Sequence, residues 1–283
     1  MDEPIYLDNN ATTRVDPRVV EAMLPFFTEH FGNPSSIHAF GSQVGRALKE
    51  ARGRIQALLG AAHDSEIIFT SCGTESDSTA ILSALKAQPE RNAVVTTAVE
   101  HPAILNLCEW LEKDGVVVHR LGVDKKGRVD LDEYKSLLTP NVAIVSAMWA
   151  NNETGTLFPV EEMAEMAHAA GIMFHTDAVQ AVGKIPIDLK NTKVDMLSLS
   201  GHKLHAPKGI GVLYLRRGCR FRPLLRGGHQ ERGRRAGTEN AAGIVALGRA
   251  CELALEAMEH ENTVVKRLRD KLERGILARV PNA

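Results

Sequence analysis

Cysteine is scarce and scattered. Cys72, Cys108, Cys219 and Cys251 are the only four in 283 residues, and none forms a CxxC pair. That argues against a zinc ribbon or a dithiol redox motif, and no metal site is expected. Aromatic residues make up only 5% of the chain, and none interleaves with the arginines of the glycine-rich stretch Arg226–Asn240. A stacking surface for nucleic acid is therefore not expected. The net charge is −1, too small to draw the whole molecule to nucleic acid or to a membrane. No apolar run is long enough to span a bilayer. The acidic start, Met1-Asp2-Glu3-Pro4, lacks the pattern of a signal peptide. The expected setting is the cytoplasm, with free thiols. Internal repeats and low-complexity linkers are absent. Hydrophobic residues are 44% of the chain, enough for one large core.

Apolar runs and helical periodicities alternate from Glu66 to Leu215. Strands are expected at Glu66–Thr70, Ala93–Thr97, Val116–Arg120, Val142–Met148, Gly171–Asp177, Val194–Leu199 and Gly211–Leu215. Helices are expected at 78–86, 103–113 and 159–170. This βαβ alternation predicts an α/β fold with a doubly wound, mostly parallel sheet. At the amino end, Ile5–Thr13 reads as a short strand entering a polar turn. Asp16-Pro17 caps a helix whose apolar face is Val19, Val20, Met23, Leu24 and Phe27. A second helix runs to Leu59, stops at Gly60, and is expected to form an arm outside the main sheet. At the carboxyl end, helices are expected over 241–258 and 261–277.

Chemistry concentrates in two stretches. Ser200-Gly201-His202-Lys203 follows one buried strand and precedes another. A lysine in so tight a turn is partly desolvated, which lowers its pKa and suits a Schiff-base amine. A solvated loop lysine is the alternative. His175-Thr176-Asp177-Ala178-Val179-Gln180 ends a strand in a carboxylate, where ligands gather in open parallel sheets. Asp177 there can pair with a protonated pyridine nitrogen, the usual companion of a Schiff-base lysine on pyridoxal phosphate (PLP). It can also be a plain helix cap. Gln180 falls on the face of Asp177 if a helical turn follows. Ser71-Cys72-Gly73-Thr74 joins a strand to a helix start, a ready phosphate site with Gly73 and Thr74 as contacts, or an ordinary capped helix. His101 lies at a further strand end, where an imidazole can stack on a ring and move protons, or simply bond within its loop. Asn152, in an Asn-Asn turn, can donate to a ring oxygen or a substrate carboxylate.

Seven ordered blocks now carry a resemblance: Tyr6–Thr13, Thr70–Ser76, Glu100–Pro102, Asn151–Gly155, His175–Gln180, Ser200–Lys203 and Arg235–Asn240. Together they resemble the PLP-dependent cysteine desulfurases of the nitrogen-fixation, NifS-like, type. The resemblance implies PLP fold type I, with a seven-stranded sheet, acting as a homodimer. It implies an amino-terminal piece of a small domain at 1–15, a PLP-binding large domain at 16–258, and the start of an incomplete small domain at 259–283. Lys203 would hold the cofactor covalently and move the substrate's alpha proton. Asp177 would face the pyridine nitrogen, Gln180 the ring hydroxyl, and His101 would stack on the ring. Gly73, Thr74, Ser200 and His202 would hold the phosphate, with Thr238 reaching that of the partner subunit. Asn152 would touch substrate and cofactor. The substrate would be L-cysteine. Its sulfur would pass to a protein cysteine as a persulfide, leaving alanine, and then to an iron–sulfur scaffold protein.

In that family the persulfide cysteine and an arginine for the substrate carboxylate lie carboxyl-terminal to everything present. The chain is accordingly expected to be a piece of a longer protein, inactive in sulfur transfer by itself. Cys72, at a helix start that favours a thiolate, is the one conceivable substitute, although a small buried residue explains it equally well. A lyase for selenocysteine or a sulfinate, or a PLP-fold binding protein without activity, would share the same motifs.

Overall fold

A computed structural model describes residues 4–281 of the chain. The amino-terminal residues 4–8 join no strand, contrary to the expectation. Ile5 and Leu7 are 85% and 76% exposed. No neighbouring strand offers them a ladder, and a strand without a partner leaves its backbone groups unpaired.

Asp16 caps α1 (Pro17–Met23) by accepting from the Arg18 N–H, with Pro17 in the first turn. The expected single helix is broken at the second proline, and α2 (Pro25–Thr28) follows as one short turn. A proline cannot donate to the turn before it. Phe27, placed on the apolar face by periodicity, is therefore exposed. α3 (Ala39–Leu59) ends at Gly60, whose φ of +57° lies in the left-handed region. It is no separate arm. Val44, Leu48, Ala51, Ile55 and Leu58 enter the main core beside residues of the last large helix.

The sheet elements then arrive nearly as the pattern predicts. They are β1 (Ile67–Thr70), α4 (Gly73–Ala87), β2 (Ala93–Thr97), α5 (Pro102–Lys113), β3 (Val117–Leu121), α6 (Leu131–Leu137), β4 (Val142–Ser146), α7 (Val160–Ala169), β5 (Met173–Asp177), β6 (Met196–Ser200) and β7 (Gly211–Leu215). α8 (Ala241–His260) continues through a π-helical turn at Glu261–Val265 into α9 (Lys266–Leu277). Strand order is β1-β7-β6-β5-β4-β2-β3. Every pairing is parallel except the two made by β7.

Alternate strand residues enter opposite cores. Val95, Val145, Phe174, Leu197 and Tyr214 face one layer, which includes α3, α7 and α8. Val94, Ile144, Met196 and Leu213 face the other, which includes α4 and α5. Burying both faces is what requires continuous apolar strands in a parallel sheet. The consequence for function is geometric. β1, β2, β4, β5 and β6 all point their carboxyl ends at the same edge. No helix among the described residues is long and apolar enough to cross a membrane.

Candidate active site

A cavity of about 650 Å³ opens at that edge. Its lining includes Gly73, Thr74, His101, Asn152, Asp177, Gln180, Ser200, His202 and Lys203, which sequence reasoning selected from five separate stretches. Thr238 lies elsewhere. It is exposed, in a smaller cleft beside Ser71, Arg235 and Glu239.

Lys203 ends a single 3-10 turn, Gly201–Lys203, directly after β6. Its Nζ donates to the carbonyls of Asn10 and Ala11. Burial lowers its pKa, with Asp177 and Asp8 pulling the other way. Asp177 is the last residue of β5 and is 7% exposed. One of its oxygens accepts the Val179 N–H at 2.9 Å. Burial raises its pKa, while that bond, His101 and Lys203 oppose the shift. Among the described residues Asp177 has no ion-pair partner. A buried carboxylate aimed into a cavity without a fixed cation is suited to a cationic group on a ligand.

Gly73 opens α4, and a methyl group there would lie 3.2 Å from Val179 Cγ2 and 3.5 Å from Ser200 Cβ. The absence of a side chain thus keeps a cradle open where the helix presents its first N–H groups. α4 begins earlier than its serine- and threonine-rich start suggests, and this helix start is what an anion would meet. His101 caps α5, its Nδ1 accepting the Ala103 N–H at 3.1 Å. The imidazole bonds within its own loop, as the plainer reading has it, and also lines the cavity. Gln180 follows in a turn, not a helix, and its Nε2 donates to Asn10 O at 3.0 Å. His202 contacts the Thr12 hydroxyl at 3.1 Å, and burial lowers its pKa. Asn152 donates to Glu153 at 3.0 Å.

Sequence reasoning missed one wall. Asp8, Asn10 and Ala11 line the cavity. Their segment is tied down by Thr13, whose N–H and hydroxyl both donate to His202 O, at 2.9 and 2.8 Å. Asp77 and Met148 were missed as well, and Cys72 is the only cysteine in the lining. Cys72 is held firmly, its carbonyl accepting from the Thr70 hydroxyl at 3.3 Å and from the Ser76 hydroxyl at 3.2 Å. Burial pushes Cys108 up to about 11 and Cys219 and Cys251 up to about 12.

The aminotransferase class-V family matches residues 5–280. The chain belongs to that family. Its members of this kind are PLP-dependent, and the cavity has the features such a group requires: an amine, a buried carboxylate and a glycine-opened helix start. Cysteine desulfurase NifS of Azotobacter vinelandii is 76% identical over 279 residues, which are 99% of this chain and 69% of the relative. A solved NifS-like protein superposes with a TM-score of 0.94 at 41% identity, over 97% of this chain and 76% of the other. A structure described as SspA in complex with cysteine gives a TM-score of 0.84 at 40% identity, over 87% and 72%. The fold is therefore that of the PLP-dependent class-V enzymes, and the chain is an enzyme of the cysteine desulfurase group.

Proposed function

We propose that this chain binds PLP through Lys203 and is the core of an enzyme that removes sulfur from L-cysteine for iron–sulfur cluster assembly. One observation carries the reading: a single cavity brings Lys203, Asp177, His101 and the Gly73–Thr74 helix start together from distant stretches of sequence. When bound, PLP supplies an electron sink for the bond-breaking steps at the substrate's alpha carbon.

The chain's own residues do the rest. Asp177 would face the ring nitrogen with a negative charge and so favour its protonated form. Gly73, Thr74, Ser200 and His202 would hold the phosphate at the α4 start, where the helix dipole favours an anion. His101 would cover the ring and Gln180 would serve its hydroxyl. Asn152 would orient the substrate. Lys203, with its pKa lowered by burial, would be the base that takes the alpha proton. Thr238 lines a separate cleft and not the cavity of its own chain, which suits a contact to the phosphate held by a second copy in a homodimer. Four unpaired cysteines suit a reducing cytoplasm, where the acceptor would be a scaffold protein.

The sulfur-accepting thiolate must travel to the substrate. Cys72 is fixed at the base of the phosphate turn, and burial keeps the thiols of Cys108, Cys219 and Cys251 protonated. None of the four fits the part. The test is to add PLP to the purified chain, reduce with borohydride and map the peptides. Pyridoxyl label on Lys203 is the expected result, and label on Lys184 or Lys208 instead would remove Lys203 from the role. L-cysteine should then change the spectrum of the unreduced complex without sustained alanine release. Sustained release abolished by Cys72→Ala would make Cys72 the nucleophile.

A further inference from the structure

Asp77 is a carboxyl group with no evident reason to be where it is. It lies four residues after Gly73, one turn along the same face of α4, and lines the same cavity. It is 1% exposed, and its Oδ1 has no hydrogen-bond partner among the described residues. Beneath it lies β5. Residues two apart on a strand share a face, so His175 and Asp177 both turn toward the layer that α4 covers.

His175 does not supply a counter-charge. Its Nε2 is 3.6 Å from Asp77 Oδ1 and its ring is completely buried. Its two nitrogens meet the Ser146 and Ser198 hydroxyls, each at 2.9 Å. Burial holds its pKa down at about 3, so the ring is neutral. The other ionisable groups that face Asp77 are Asp177, Glu100 and Cys72, and all of them disfavour a second negative charge. Asp177 differs. It accepts a backbone N–H, and His101 and Lys203 favour its charged form, whereas only the Ser198 hydroxyl opposes burial at Asp77. Two adjacent buried carboxyls cannot both ionise at neutral pH, and the better solvated one keeps the charge.

We propose that Asp77 is a positioning residue of the cofactor site: a neutral carboxylic acid, fixed on α4, that leaves the single negative charge of the cavity floor on Asp177 and keeps a proton-bearing group beside it. The proposal rests on the PLP reading for its purpose. The location of the proton can be measured without cofactor.

The experiment uses the whole chain labelled with carbon-13 at the aspartate carboxyls. At pH 7 the carboxyl resonances should include one neutral acid. That signal should vanish in Asp77→Asn. Its absence from the parent, its survival in Asp77→Asn, or its loss in Asp177→Asn alone would overturn the proposal. PLP titration supplies the second arm. Asp77→Ala should weaken PLP binding by about tenfold, the scale of one hydrogen-bonding group beside a charge, and Asp77→Asn should recover most of that loss. An alanine variant that binds like the parent, or an asparagine variant no better than alanine, would remove the positioning role. If the unmodified chain takes up no PLP at all, the functional reading fails, and the resonance still decides where the proton sits.

Discussion

Glu100 gives a sharp test of how the base of the site is built. It is 4% exposed and sits between the end of β2 and the start of α5, next to His101. Its Oε1 accepts from the Thr97 hydroxyl at 2.7 Å and from the Met148 N–H at 2.9 Å, while Oε2 has no partner among the described residues. Burial raises its pKa from 4.5 to about 8, against the pull of those two bonds. A carboxyl whose folded pKa is raised holds its proton in the folded state after the unfolded chain has released it. Its stabilising contribution is complete below pH 4.5 and is lost as the pH rises toward about 8. Each pH unit across that window removes about 1.4 kcal/mol. Glu100→Gln keeps the acceptor for Thr97 and Met148 and cannot ionise. Urea unfolding of parent and variant at pH 5, 6, 7 and 8 isolates the term, because His175 and the other groups cancel in the difference. Stability of the parent relative to the variant should fall by about 3–4 kcal/mol from pH 5 to pH 8, most of the linkage value for one proton. Parallel profiles would mean that Glu100 is ionised throughout, with a cation or water serving Oε2.

Three further outcomes are expected. Arg52→Ala should destabilise the fold by about 3–5 kcal/mol in urea unfolding, because it strands a charge: the Glu231 side chain is 3% exposed and Arg52 bonds both of its oxygens, at 2.7 and 2.8 Å. A loss under about 1 kcal/mol, as for a surface pair, would show that Glu231 finds another partner. Gly73→Val should lower PLP retention on gel filtration while leaving the far-ultraviolet circular dichroism unchanged, since even a methyl group there meets Val179 at 3.2 Å; undiminished retention would place the phosphate elsewhere. Thr238→Ala should speed PLP loss from the dimer and leave a dilute monomer unaffected, and an equal effect on both would make the contact one within a single chain.

The sheet was legible because its strands are buried on both faces. Val142–Ser146 and Met196–Ser200 are fully buried along their length, so an apolar run of the right length between turn residues marks each one. Ile5–Leu7 has the same local composition and forms no strand, because pairing depends on a neighbour that the local sequence cannot reveal. The break at Pro25 is a local rule that was available to sequence reading. The early start of α4 was harder to see. Gly73, Thr74 and Ser76 are turn residues by composition. Helix begins there because Thr70, Cys72 and Ser76 bond to one another around the first turn.

The expected residues that line the cavity stand in the turns at and beyond the ends of strands, and all but Gly73 are polar side chains that interrupt an apolar run. Those that were missed have no such marker. Asn10 joins the site through its backbone carbonyl, which receives Gln180 Nε2 and Lys203 Nζ, and any residue type supplies a carbonyl. Asp77 is different, because a signal existed. It lies one turn before Ala80 and Ile81 and two turns before Ala84, which are fully buried on α4. An acid close to the apolar face of a buried helix carries a desolvation cost that packing alone does not explain. Reading Asp77 with the polar run Ser76–Thr79 suggests a solvated face, yet Ser76, Asp77 and Thr79 are all buried. β5 presents His175 and Asp177 to that helix instead of apolar side chains, so the polar stretches of α4 and β5 make sense only against each other. The site was therefore legible where one residue's chemistry declares itself, and hidden where a polar group is placed to serve another polar group across the layer.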